Sequence, residues 1–174
     1  MEKSNQIMKQ IRIEKINLNI GVGAPGENLE KAVRLLQKIA QIKPVKTKSK
    51  RRIPTWGLRP NLEIGANVTV RGRKAEELLK RLLMAVKNTI KKSSFDNEGN
   101  VSFGIPEYLN IHGVEYDSSI GIIGLEAAVT LQRPGFRIKR RRLQQRRIPR
   151  RHRIAKEEAV DFIKQKFNTT IIGA

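Results

Sequence analysis

Cysteine is absent from the 174 residues. The chain therefore holds no disulfide, no thiol nucleophile, and no zinc or iron–sulfur cluster ligated through sulfur. Histidine is nearly as scarce, with two copies. His112 stands beside Gly113 with no second histidine or carboxylate at metal-ligand spacing and no serine in a strained elbow. Glu157, Glu158 and Asp161 fall in the first turns of an expected helix, where acids suit the dipole, so no general acid–base pair stands out. Aromatics make up 5% of the chain, which argues against a single-strand binder, because such proteins stack bases on exposed rings. Long apolar runs are missing too. The longest, Ile120 to Leu131, is interrupted by Glu126, and Met1 to Gln10 is polar, so neither a membrane span nor a secretory signal is expected and the protein reads as soluble and cytosolic.

The most informative absence is of acid in two places. Lys43 to Arg59 (KPVKTKSKRRIPTWGLR) holds seven basic residues and no acid, and Arg137 to Arg153 (RIKRRRLQQRRIPRRHR) holds ten and none. Lys plus Arg number 36 against 16 Asp plus Glu, a formal charge of +20. Removing 17 basic residues leaves 19 positive and 16 negative charges on the other 140 residues, a nearly neutral body. Two separate acid-free tracts imply a polyanionic partner. A membrane surface would require an apolar helix face that the arginine tract does not possess, so nucleic acid is the implied partner.

Periodicity supplies the scaffold. Ile16, Leu18 and Ile20 alternate with Asn17 and Asn19, and Leu62 to Val70 alternates with Glu63 to Arg71, each the pattern of a strand buried on one side. Leu29, Val33, Leu36 and Ile39 mark one helix, and Ala75, Leu78, Leu79, Leu82, Leu83, Val86 and Ile90 a second. Short strands are expected at Asn100–Gly104 and Leu109–Val114, a stronger one at Leu125–Leu131, and a final helix at Lys156–Phe167. This order predicts an α+β fold, a mainly antiparallel sheet with helices on one face. We divide it into a body, 1–136, with a basic loop at 43–61, and an arginine-rich tract with the C-terminal helix, 137–174.

The uncovered sheet face would then present Asn17, Asn19, Asn67, Thr69, Arg71, Thr130 and Gln132, groups that bond phosphate, sugar and base edges. Arg137, Lys139, Arg140, Arg141, Arg142, Arg150, Arg151, His152 and Arg153 add phosphate donors. In the first tract Lys46, Lys48, Lys50, Arg51, Arg52 and Arg59 surround Trp56, which either packs on the body or stacks on a ligand. A competing reading is enzymatic: Gly21 to Gly26 spells G-x-G-x-x-G between strand and helix, as a nucleotide or methyl-donor cofactor loop does. The acid expected about twenty positions on is missing. A free-standing duplex binder is a third reading.

The segments KINLNIGVG, KPVKTKSKRRIPTWGLRPNLEIGANVTVRG, KAEELLKRLL, FDNEGNVSFGIPEYLNIHGVEYDSSIGIIGLEAAVTLQRPGFRIKRRR and IPRRHRIAKEEAVDFIKQKF resemble, in order, the universal large-subunit ribosomal protein family numbered five in bacteria. The IPTWG loop and PRRHR run are similar to its archaeal-type branch. The resemblance implies an RRM-like fold, no catalysis, no cofactor and no metal. It also implies binding of 5S rRNA and adjacent large-subunit rRNA in the central protuberance, with Asn19 and Thr69 among the 5S contacts. Thr47 to Asn61 would face P-site tRNA, and Tyr116 to Ile122 would bridge to a small-subunit head protein. Where the family has Thr-Gly-Gln-Lys-Pro, this chain reads Ala40-Gln41-Ile42-Lys43-Pro44, so Ile42 occupies the glutamine's place.

Overall fold

The computed structural model describes residues 7–173, so most of the polar stretch from Met1 to Gln10 lies outside the described residues. Five strands, β1 (Arg12–Gly21), β2 (Val45–Lys48), β3 (Glu63–Arg71), β5 (Val101–Ile105) and β6 (Leu125–Gln132), form one sheet in the order β2-β3-β1-β6-β5. Every neighbouring pair in it is antiparallel. Two further strands, β4 (Thr89–Lys91) and β7 (Thr170–Ile172), pair in parallel as a separate ribbon. Among the described residues the long helices are α1 (Glu27–Ala40), α2 (Arg73–Ala85) and α3 (Lys156–Phe167). The fold is α+β and mainly antiparallel, as the alternation implied.

One face of the sheet carries Ile16, Leu18, Ile20, Ala66, Val68, Val70, Ala127, Val129 and Leu131, all buried. Leu29, Leu35, Leu36 and Ile39 of α1 and Leu78, Leu79, Leu82 and Leu83 of α2 complete that core. Each helix contributes a stripe at three- and four-residue spacing, which is why two helices suffice to dry a single sheet face. The opposite face is half-buried to exposed along its length.

Three expectations need correction. The strand expected at Leu109–Val114 is a short 3₁₀ turn, Tyr108–Asn110, followed by irregular chain. Its buried residues, Tyr108 and Ile111, are three apart, not two, and Tyr108 is anchored by its hydroxyl, which accepts the Asp117 N–H at 3.1 Å. The second helix ends at Ala85, short of Ile90. Lys87 and Asn88 take left-handed backbone (φ 56° and 51°), turning the chain into β4, where Ile90 pairs with Ile171. Ile90 falls four residues after Val86, so its spacing imitates a further helical turn. Part of the basic loop is strand: Val45, Lys46 and Thr47 pair with Asn67, Ala66 and Gly65.

Gly65 is dictated by close approach. A Cβ there would lie 2.7 Å from the Ile20 carbonyl oxygen and 2.9 Å from the Thr47 hydroxyl. The G-x-G-x-x-G segment is a strand-to-helix turn tied to β3, with the N–H groups of Val22 and Gly23 both donating to the Ile64 carbonyl at 2.9 Å. Its strand has antiparallel neighbours only, so the topological switch point at which open parallel sheets bind dinucleotides is not formed here.

Candidate nucleic-acid interface

Strand register lays the open face out in rows. Val45, Asn67, Asn19, Glu126 and Gly104 cross all five strands. Next comes Thr69, Asn17, Ala128 and Ser102, then Arg71, Lys15 and Thr130. These side chains are small, uncharged or cationic apart from Glu126, and none is aromatic. A surface of this kind lets a folded polynucleotide approach the backbone closely and bond to fixed amides and hydroxyls.

Two cross-strand contacts fix the amides. The Thr69 hydroxyl donates to Asn17 Oδ1 at 2.5 Å, and Asn19 Nδ2 donates to Glu126 Oε2 at 3.3 Å. Asn17 is thereby left with both amide protons to offer, whereas Asn19 keeps its carbonyl oxygen free as an acceptor. The face thus carries a donor and an acceptor two residues apart on one strand, oriented before any ligand arrives. Asn17, Asn19, Asn67, Thr69, Thr130 and Gln132 are half-buried and Arg71 is exposed. Gln132 lies opposite Arg12, past a bulge in β1, and so at the end of the face.

The first basic tract is less uniform than its sequence. Lys46 is held by Glu30 at 2.5 Å and Glu63 at 3.4 Å, and the hydrogen bond to Glu30 foremost raises its pKa while lowering that of Glu30. Lys46 is therefore a structural cation of β2, not a free one in a loop. Lys48, Lys50, Arg51, Arg52 and Arg59 are exposed, and Trp56 is 73% exposed at the tip of a tight turn closed by Ile53 and Leu58. Of the two readings of Trp56, packing on the body is the one this geometry excludes. Gln41 caps α1 in left-handed conformation and lines a shallow cleft with Ile39, Val70 and Lys74, away from the open-face amides.

The arginine tract is pinned to the body. Phe136, Ile148 and Ile154 are buried within the core cluster. Arg133, only 6% exposed, donates to the Arg153 carbonyl at 3.1 Å and to Glu158 Oε1 at 2.7 Å. Burial pushes the Glu158 pKa up, but the Ala155 N–H and Arg133 more than offset it, and the carboxyl ends below its usual range. Arg140 pairs with buried Glu14, and this hydrogen bond raises the Arg140 pKa. His152 is committed as well, its Nε2 lying 2.9 Å from the Pro134 carbonyl and its ring edge-on to Phe136. Arg137, Lys139, Arg142, Arg150, Arg151 and Arg153 face solvent and Arg141 is half-buried.

Sequence reasoning missed Glu14, Glu126 and Arg133. Glu126 was legible as an outward residue of β6, but its partner Asn19 lies 107 positions away. Arg133 hides among other arginines, with only the following Pro-Gly to mark it.

Comparison with known proteins completes the picture. Residues 6–59 match the family model described as "Ribosomal protein L5", and residues 63–165 match the model of the C-terminus of that same ribosomal family. The chain is 54% identical over 166 residues to the large ribosomal subunit protein uL5 of Sulfurisphaera tokodaii, covering 95% of this chain and 94% of that one. It is 51% identical to the protein of the same name from Nanoarchaeum equitans (95% and 98% covered). With that of Sulfolobus acidocaldarius the identity is 47% (98% and 96%).

Proposed function

The chain belongs to the ribosomal protein L5 family, and from that premise we propose that its open sheet face holds 5S rRNA in the central protuberance of the large subunit. Membership makes it a structural constituent of the ribosome, bound to rRNA in the cytoplasm, and not an enzyme. Among the described residues no helix is long and apolar enough to cross a membrane.

The observation that carries the 5S reading is the pair of oriented amides, Asn17 under Thr69 and Asn19 beside Glu126, at the centre of a face left uncovered by helices. Asn67, Thr130 and Gln132 extend that contact, and Lys15 and Arg71 meet phosphate at its edge. The exposed arginines of 137–153 bind neighbouring large-subunit rRNA. Lys48, Lys50, Arg51, Arg52, Trp56 and Arg59 form the surface toward P-site tRNA, with Trp56 available for stacking. Tyr116 and Ile122, both exposed, belong to the segment that meets a small-subunit head protein.

Competition binding tests the first assignment. The protein should prefer 5S rRNA over a generic duplex of equal length by at least about a thousandfold at moderate salt. Equal competition by the duplex would reduce it to a non-specific binder. Neutralising Lys48, Lys50, Arg51 and Arg52 together should spare 5S affinity and weaken tRNA contact on assembled subunits; loss of 5S affinity instead would reverse the two roles.

A further inference from the structure

Where the open face meets the arginine tract lies a cavity of about 560 Å³. Six cations line it, Lys15 and Arg71 from the sheet and Lys139, Arg140, Arg147 and Arg153 from the tract, against two acids, Glu14 and Glu98. Three of the six are already engaged. Arg140 pairs with Glu14, Arg153 donates to the Ile148 carbonyl at 3.3 Å, and Lys139 lies 5.4 Å from the centre of the Phe136 ring. Lys15, Arg71 and Arg147 have no ion pair with any described residue.

Strand register sharpens the imbalance. Lys15 stands directly opposite Arg71 across the β1–β3 ladder, and Thr130 stands opposite Lys15 on its other side. Like charges in direct opposition destabilise a sheet. One anion placed between the two heads turns that repulsion into two attractions, and opposed side chains only about 5 Å apart at Cβ can both reach it. Phe136, Ile148 and Ile154 supply an apolar wall. A cleft lined by one sign of charge against such a wall concentrates its field on an incoming counter-ion.

Glu14 does not take part in binding. It is the extra residue of the β1 bulge, between Ile13 opposite Leu131 and Lys15 opposite Thr130. Its buried side chain is spent on Arg140, which ties the tract to the sheet beside the cavity. The anion most readily brought here is a phosphodiester. Its two free oxygens accept several charged donors at once, and Thr130 adds a hydroxyl. The row Arg71, Lys15 and Thr130 also follows directly on the row of Thr69 and Asn17, so the cavity continues the face that carries the amides.

We propose that this cavity seats one backbone phosphate of the RNA lying on the open face, shared by Lys15 and Arg71 of the sheet and Arg147 of the tract. Arg147 thereby serves the same RNA as the amides. The proposal rests on the RNA-binding reading of that face and adds that sheet and tract hold one ligand group in common.

The test uses the full chain and 5S rRNA carrying one ethylated phosphate per molecule at random positions, those that hinder binding being read from the unbound fraction. Ethylation of the seated phosphate should weaken wild-type binding by at least about tenfold, the return of a charged, hydrogen-bonded contact. Lys15→Met and Arg147→Met should each weaken binding of unmodified RNA, and both should be less sensitive than wild type to ethylation at that same phosphate. Arg142→Met, which changes an exposed arginine of the tract outside the cavity, should keep full sensitivity there.

Loss of sensitivity at two different phosphates in Lys15→Met and Arg147→Met would overturn the shared seat and leave RNA binding by the open face intact. Equal loss in Arg142→Met would reduce the effect to net charge and overturn it too. Failure of wild type to bind unmodified 5S rRNA at low salt would remove both readings. A second arm omits RNA and compares inorganic phosphate with chloride at equal ionic strength. If ethylation nowhere separates the variants from wild type, yet phosphate raises the Tm of wild type and not of Lys15→Met, the cavity holds a free anion and the RNA contact is refuted.

Discussion

The Thr69–Asn17 contact makes a prediction that can be worked through quantitatively. Thr69 has a single hydroxyl proton and spends it on Asn17 Oδ1, which fixes the amide with its N–H groups toward the open side. Thr69→Val keeps the shape of the side chain and removes that restraint. Asn17 must then be ordered by the RNA itself, at a cost of about 1 kcal/mol, or roughly fivefold in affinity. Asn17→Ala should cost about 1.5 kcal/mol by deleting the RNA contact outright. If Thr69 acts through Asn17, the double variant falls short of the sum of the two losses by about 1 kcal/mol, because the restraint has nothing left to restrain. Filter binding or calorimetry with 5S rRNA gives the four constants of the cycle. Both residues are half-buried, so thermal melts should stay within a few degrees of the wild type and exclude unfolding as the cause. Strict additivity would refute the reasoning and make the two side chains independent contacts.

Four further outcomes are expected. Changing Lys48, Lys50, Arg51 and Arg52 together to Ala should reduce the slope of log affinity against log salt for tRNA-bearing subunits by up to about 3, at roughly 0.7–0.9 per phosphate contact. Lys46→Met should leave it unchanged, because Lys46 already answers to Glu30 and Glu63; a drop as large as that of an exposed lysine would contradict this. Glu158 has its pKa lowered in the fold from an ordinary 4.5, so its stabilising effect is complete above that value and disappears as pH falls through the lowered one. Wild type should accordingly lose more Tm between ~pH 5 and ~pH 3 than Glu158→Gln does, and parallel losses would show that the Arg133 pairing carries no linkage. Gly65→Ala should destabilise the protein by about 2 kcal/mol in a denaturant titration through the clash with the Ile20 carbonyl, and a neutral result would mean that β2 and β1 yield at no cost.

Most of the sheet was readable because burial on one side writes itself as alternation: β1, β3 and β6 each announced their inward residues, while β5 was expected only as a short strand near Asn100–Gly104. The open-face amides were readable for the same reason, being simply the other half of that pattern. What failed was whatever depended on partners remote in sequence. The parallel pairing of β4 with β7 joins segments some eighty positions apart, each three residues long, too short for periodicity to register. β2 was obscured by its lysines, whose role in strand and ion pair cannot be told from a solvated run without Glu30 and Glu63 in place. Leu109 to Val114 looks like strand until the 3₁₀ turn at Tyr108–Asn110 shows the buried residues three apart. In the tract of 137–153, charge was legible but its attachment was not, since Glu14 and Arg133 acquire their meaning only when the chain returns to them.

The arginine segment leaves the sheet at Phe136 and returns through Ile148 and Ile154 into a helix whose far end is stitched by β7 to β4. It is a strap buckled at both ends. Most of the freedom a loose cationic arm would surrender on meeting a polyanion has already been given up when the globule forms. If the segment binds rRNA as proposed, its guanidinium groups meet it from a backbone already in place, which favours fast, uniform docking during assembly over gradual induced ordering.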